Sequence, residues 1–118
     1  MTEREPIRDR IRGFAGLPAD WDGYDGRAPS DAAIAAALAV VDALPDWAFP
    51  TETHAIGDGE IIFKWRTEDA YLEIGLEGET FSWGARIGDV GLLHGDLPFE
   101  PGDALPADML TTLKRIKP

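Results

Sequence analysis

The heptapeptide DWDGYDG, Asp20–Gly26, carries three carboxylates, two aromatic rings and two glycines. Three aspartates could bind a divalent cation, and a carboxylate pair could serve as general acid and base. An EF-hand loop starting at Asp20 would need a ligand at its fifth position and glycine at its sixth, where Tyr24 and Asp25 stand. The sequence therefore predicts no metal ion and no cofactor, with a calcium or small-ligand site at the Trp21 loop as an alternative.

The same stretch is typical of a turn between two helices. Pro18 can start a turn, Gly23 and Gly26 can adopt positive φ, and aspartate side chains can accept backbone N–H groups. We expect Trp21 and Tyr24 to fold back over the junction of helix and sheet. The interpretation is an inter-helix connection without a catalytic role.

Other side chains with reactive potential are few. The chain has two histidines and no cysteine, so thiolate metal sites and disulfides are excluded. His54 and His94 have no second ligand type at metal spacing, Ser30 has the position of a helix cap, and Ser82 lies in a strand pattern. No nucleophile elbow, phosphate loop or zinc pattern occurs, and we expect no enzymatic activity.

The charge of the chain is −11, and most of it lies in the middle of the sequence. Residues 31–110 hold sixteen acidic residues against three basic ones. Because such a field repels phosphate, direct nucleic-acid binding is disfavoured, and a basic protein partner is favoured. The alternative is that the charge serves solubility alone.

A chain of 118 residues with 44% hydrophobic residues predicts one domain, spanning residues 1–118. The charged N-terminus has no apolar secretory segment, and no apolar run could cross a membrane. We expect a cytoplasmic protein.

Apolar spacing predicts three helices. The first begins with a capping box at Thr2 and Glu5, followed by an apolar stripe. The second begins at Ser30 and ends before Pro45. The third is short and begins near Pro106. The residues expected to face inward are Ile7, Ile11 and Phe14 in the first helix, Ile34, Ala37, Leu38, Val41 and Leu44 in the second, and Met109, Leu113 and Ile116 in the third.

From Thr51 the apolar period changes to two, which predicts strands joined by short polar turns. A two-residue turn at Glu68–Asp69 would pair Trp65 with Leu72 and Lys64 with Glu73, and one at Glu77–Gly78 would pair Ile74 with Phe81. Residues 86–93 could form a fifth strand, and residues 94–106 are expected to be loop. The fold class is α+β: an antiparallel four- to five-stranded β-meander, with two N-terminal helices and a short C-terminal helix packed on one face.

In such a meander, alternate turns lie at the same end of the sheet. The turn with Asp58 and Glu60 is therefore expected near the turn with Glu77 and Glu79. Glu52 and Glu73 are expected on the solvated face of the sheet. We expect these six residues to bind a protein partner, unless the acidic turns serve only to keep hairpin tips soluble.

The residues Trp21-Asp22-Gly23, Pro29-Ser30, Ala33-Ile34 and the segment Gly59–Trp65 resemble a pattern in small bacterial and phage-borne proteins. That pattern is roughly L-P-x-x-W-D-G-x-G-A-x-x-P-S-x-x-A-I, followed by a meander. Here Asp25 and Arg27 depart from it, and the likeness ends before Gly88.

The resemblance implies no catalytic residue. It implies an accessory role near mobile elements or toxin–antitoxin-like genes, as an antitoxin, an immunity protein or an inhibitor of a bacterial immune complex, including anti-CRISPR activity. Together with the charge, this predicts a stoichiometric inhibitor or neutraliser of a basic, nucleic-acid-handling protein. The alternative is a self-associating accessory module, such as a homodimer formed through an exposed edge strand.

Overall fold

The computed structural model describes residues 4–17, 26, 28–56, 59–77, 80–88, 90–98 and 107–116. For residues 77, 80, 81, 87, 90–98, 107 and 108, only the backbone is described. The elements in chain order are α1 (Arg4–Gly13), a 3-10 turn (Phe14–Gly16), α2 (Asp31–Ala43), β1 (Glu52–Ala55), β2 (Ile61–Arg66), β3 (Ala70–Glu77), β4 (Thr80–Ile87), β5 (Val90–Pro98) and α3 (Ala107–Ile116).

The strands form one antiparallel sheet in the order β1-β2-β3-β4-β5, so every strand pairs with its neighbours in sequence. The predicted α+β class, with an antiparallel sheet and three helices, is confirmed. The β2–β3 register is also as predicted, with Trp65 opposite Leu72 and Lys64 opposite Glu73. The DWDGYDG stretch with its proposed aromatic cover, and the capping box at Thr2, lie outside the described residues, apart from Gly26.

The predicted β3–β4 register is wrong by two residues. Ile74 pairs with Trp83 rather than with Phe81, and Glu77 pairs with Thr80. Because side chains alternate with a period of two, a shift of two residues keeps every apolar side chain on the same face. Hydrophobic alternation therefore fixed the face but could not distinguish these two registers.

The last strand extends into a segment predicted to be loop. β5 continues through residues 94–98, and a register shift between Ser82 and Trp83 interrupts its pairing with β4. A β-bulge changes which residues of a strand share a face, so the apolar alternation along the strand is lost. Two glycines and a terminal proline further obscured the strand in the sequence.

Helix α2 has the predicted limits, and Ala37, Val41 and Leu44 are buried as predicted, but the buried face is shifted toward the alanines. The Ser30 hydroxyl accepts a hydrogen bond from the Ala33 backbone N–H at 3.1 Å, as an N-cap does. Ala33, Ala37 and Val40 are fully buried, whereas Ile34 and Leu38 are only partly buried. Because nearly every position of α2 is apolar, periodicity could not select the inward face, and the alanines allow a closer approach to neighbouring elements.

One cluster of buried apolar side chains joins the helices to alternate positions of the strands. α3 contributes Met109, Leu113 and Ile116, as predicted. At the centre, the Trp65 indole Nε1–H donates a 2.8 Å hydrogen bond to the buried carbonyl of Ala48, which ties β2 to the segment after α2. The strand members are Ile61, Phe63, Trp65, Leu72, Ile74, Leu76, Trp83 and Ala85.

The arginines of α1 hold this helix in place. Arg4 donates to the carbonyls of Val41 and Leu44 at the C-terminal end of α2, where the helix dipole favours a positive charge. Arg8 pairs with Asp42, and Arg10 donates to the Thr53 carbonyl on the edge strand β1.

In the part of the chain that the structure describes, no helix is long and apolar enough to cross a membrane.

Candidate protein-binding surface

The strand positions that alternate with the core cluster form a second side of the sheet, here called the polar face. On β1 to β4, the residues whose side chains the structure describes fall into three rows that run across the strands. The rows are His54-Ile62-Gly75-Ser82, Glu52-Lys64-Glu73-Gly84 and Arg66-Tyr71-Arg86.

The middle row alternates in charge. Lys64 on β2 lies opposite Glu52 on β1 and opposite Glu73 on β3. Cross-strand neighbours of opposite charge stabilise a sheet modestly, and this arrangement gives Lys64 an acid on either side. Glu52 is exposed, whereas Lys64 and Glu73 are half-buried.

At one end of the polar face, the Glu60 carboxylate lies over Gly75. A Cβ atom placed on Gly75 would stand 2.8 Å from Glu60 Oε1 and 3.4 Å from Ser82 Oγ. The glycine therefore leaves the space that this carboxylate occupies. Glu60, Ile62, Glu73, Gly75 and Ser82 line a concavity of about 300 Å³, together with Trp83 and Gly84.

At the other end, Tyr71 lies between Arg66 and Arg86. The Arg66 guanidinium carbon is 5.6 Å from the centre of the Tyr71 ring, and Arg66 Nη2 is 4.0 Å from Glu52 Oε2. Burial, a hydrogen bond to Glu73 and the negative charge of that carboxylate raise the pKa of Tyr71 to about 12. Tyr71 is therefore protonated at neutral pH and donates its hydroxyl to Glu73.

The six acidic residues predicted to bind a partner are distributed unevenly. Glu52 and Glu73 are on the polar face, on either side of Lys64. The pairing of Ile61 with Leu76 places Glu60 and Glu77, the next residues outward, at the same end of the sheet. Asp58 and Glu79 lie outside the described residues, and only the backbone of Glu77 is described.

The polar face carries charges of both signs, with more acidic than basic positions. The register adds two acidic positions, Glu77 opposite Thr80 and Asp96 opposite Ser82, to Glu52, Glu60 and Glu73. The basic side chains on this face are Lys64, Arg66 and Arg86. These three are all the basic residues between positions 31 and 110. The sequence interpretation overlooked Arg86 because it ended β4 too early. The apolar alternation at Trp83 and Ala85 already indicated that Arg86 belongs to the polar face.

Within the described ranges, no group of three or more histidine, aspartate and glutamate side chains could hold a metal ion. His54 is half-buried on β1, and His94 pairs with Trp83 at the level of the backbone.

Comparison with known proteins finds no matching family model, no matching curated sequence and no matching solved structure. Function is therefore inferred from the charge and geometry of this chain.

Proposed function

We propose that this protein is a stoichiometric inhibitor or neutraliser, of the anti-defence, antitoxin or immunity type, that binds a basic nucleic-acid-handling protein. The proposal takes the helices as covering one face of a four- or five-stranded sheet, and the polar face with its acidic turns as the contact surface. The observation that carries it is the surplus of acidic residues between positions 31 and 110.

The arginines of α1 cancel only a small part of the acidic surplus. Arg4, Arg8 and Arg12 pair with Asp46, Asp42 and Asp9 respectively. The contacts of Arg4 and Arg8 cancel only two of the sixteen acidic residues between positions 31 and 110, so most of that surplus remains. The acidic turns and the sheet then dominate what a partner meets at long range.

The polar face supplies orientation at short range. Its alternating row of Glu52, Lys64 and Glu73 presents opposite charges at spacings of roughly 5 Å, the distance between strands. A partner with a uniformly basic surface would be attracted to the acids and repelled by Lys64. The pattern therefore favours a basic partner that carries a complementary acidic group, which is how charged interfaces achieve specificity.

In the proposed mechanism, the carboxylates of this protein pair with the partner's lysines and arginines, which otherwise bind the phosphates of nucleic acid. A protein that binds nucleic acid releases counterions from the backbone phosphates, and its affinity falls steeply with salt. An acidic protein that competes for the same side chains acts by occupancy and needs no catalytic residue. One inhibitor would neutralise one binding surface.

The test uses affinity capture from a bacterial host lysate with two immobilised proteins, the wild-type chain and Glu52→Lys/Glu73→Lys. We expect a nucleic-acid-binding protein to be retained by the wild type and released as salt rises. The double reversal should weaken its binding by at least about tenfold, or about 1.4 kcal/mol.

The matched control is Asp9→Lys, which makes the same change of charge per site at an exposed position on α1. It should retain the partner like the wild type. Equal retention by the wild type and the double reversal, or retention that does not depend on salt, would contradict the proposal. The acidic turns are tested in parallel by Glu77→Lys/Glu79→Lys.

A further inference from the structure

We propose that Arg66, Tyr71 and Arg86 form a binding site for a single carboxylate, carried by a basic segment of a protein partner. The three side chains lie in one row across β2, β3 and β4. With the β2–β3 turn and Gly88, they line a concavity of about 410 Å³ at the end of the polar face away from Glu60.

The spacing suits one small anion. Two strand separations place the Cα atoms of Arg66 and Arg86 roughly 10 Å apart, on the two sides of Tyr71. Both guanidinium groups can reach a carboxylate held above the tyrosine ring, and arginine donates parallel hydrogen bonds that match a carboxylate.

Arg66 and Arg86 face the concavity, and neither guanidinium group makes a short ion pair within the described residues. Arg66 stacks on Tyr71, yet more than half of its side chain is exposed and its contact with Glu52 is 4.0 Å long. Among the residues that the structure describes, Arg86 is exposed and has no ion-pair partner. The Tyr71 hydroxyl is directed to Glu73, so the ring serves as a stacking surface. Two guanidinium groups can therefore bind an anion, although the chain has a net charge of −11.

The rim of the concavity selects the ligand. Glu68 and Asp69 line the same space as Arg66 and Arg86, so the lining is neutral. A phosphate dianion would meet two carboxylates on approach, whereas a carboxylate flanked by lysine or arginine would satisfy the arginines and both acids. The 2.8 Å hydrogen bond from the Gly88 N–H to the Asp69 carbonyl holds the two turns together.

This inference rests on the proposed function only for the identity of the partner, and the site itself is testable on the isolated chain. The probe is the peptide acetyl-Lys-Glu-Lys-amide, and its matched control is acetyl-Lys-Gln-Lys-amide, which lacks the carboxylate. Amide chemical shifts of the full chain are followed by NMR during each titration. We expect saturable shifts at Tyr71 and Gly88 with the glutamate peptide, and binding at least about tenfold weaker with the glutamine peptide.

Arg86→Gln should remove the difference between the two peptides, whereas Arg115→Gln, an exposed arginine on α3, should keep it. Equal binding of both peptides, or no effect of Arg86→Gln, would overturn the proposal. Tighter binding of inorganic phosphate at the same amides would also overturn it and assign a phosphate site instead.

The two proposals can fail separately. A chain that distinguishes the peptides through Arg86 but captures no nucleic-acid-binding protein refutes the inhibitor function alone. A chain that captures its partner equally well with Arg86→Gln and ignores the peptides refutes the carboxylate site alone.

Discussion

At the scale of residues, a few polar contacts inside an apolar core connect elements that are distant in sequence. The clearest is the hydrogen bond from Trp65 to the carbonyl of Ala48. Ala48 has no exposed surface, so water cannot replace the indole N–H if it is removed.

Trp65→Phe should therefore lower the free energy of unfolding by about 1–3 kcal/mol, the cost of a buried carbonyl without a donor. Urea denaturation measures it. The matched control is Trp47→Phe, because Trp47 is 40% exposed and its change should stay within about 0.5 kcal/mol. An equal decrease in the free energy of unfolding for both variants would show that the hydrogen bond from Trp65 to Ala48 does not stabilise the fold.

Tyr71 gives a prediction in alkaline solution. The chain has two tyrosines, so Tyr24→Phe isolates the phenolate absorbance of Tyr71. Its pKa in the folded protein is about 12, above the ordinary value of 10. The raised pKa contributes stability that is fully present below pH 10 and lost as the pH rises through about 12. A titration midpoint near 10 in the folded protein would contradict the contact with Glu73.

Gly75→Ala tests whether the position of the Glu60 carboxylate matters, because the substitution moves this carboxylate without removing its charge. The new Cβ would lie 2.8 Å from Glu60 Oε1 and would therefore displace the Glu60 carboxylate. The net charge of the chain stays the same. Because the end of a glutamate side chain moves easily, we expect the free energy of unfolding to change by less than about 1 kcal/mol. Affinity for the partner should fall in a binding titration. Unchanged affinity would mean that Glu60 acts only through long-range charge.

At the scale of elements, arginine contacts and an apolar stripe together attach α1 to the rest of the fold. Ile11 is its only fully buried side chain among the described residues. Arg4 satisfies two carbonyls at the end of α2, where a helix leaves its last acceptors unpaired.

Arg4→Ala should cost about 1.5–3 kcal/mol of unfolding free energy, because charged hydrogen bonds to two partly buried carbonyls are lost. Arg4→Lys should lie between alanine and wild type, since lysine keeps the charge without the planar fork. Arg12→Ala removes only a surface pair with Asp9 and should cost less than about 0.5 kcal/mol. Thermal and urea unfolding measure all three.

Local sequence patterns predicted the helices and strands more accurately than they predicted how these elements pack together. Ser30 and Pro45 defined α2, and alternation defined β2 to β4, because caps and side-chain periods act over a few residues. The two-residue shift between β3 and β4 and the alanine face of α2 depend on packing across the core, which a local pattern does not contain.

The candidate site was predictable to a similar degree. Glu52, Lys64 and Glu73 follow from alternation and the registers of the first two hairpins. The Arg66-Tyr71-Arg86 row requires the registers of the second and third hairpins at once, and the third was misassigned. The role of Arg4 depends on where α1 meets α2, which nothing in the sequence near Arg4 indicates.

At the scale of the whole molecule, the net charge and the arrangement of the sheet together determine which partner the proposed surface can bind. Most of the surplus of negative charge lies between positions 31 and 110, and the polar face adds a pattern of both signs. Long-range attraction would bring a basic protein to this surface, and the rows of mixed charge would then determine how it docks.

The most direct test of this account is a displacement titration with the captured partner and its nucleic acid. Increasing amounts of the wild-type chain are added to the preformed complex, and the fraction of nucleic acid that remains bound is measured. The account predicts complete displacement that saturates near one chain per binding surface, and at least about tenfold more Glu52→Lys/Glu73→Lys for the same displacement. Nucleic acid that stays bound at saturating inhibitor, or displacement by the double reversal at wild-type concentrations, would contradict it.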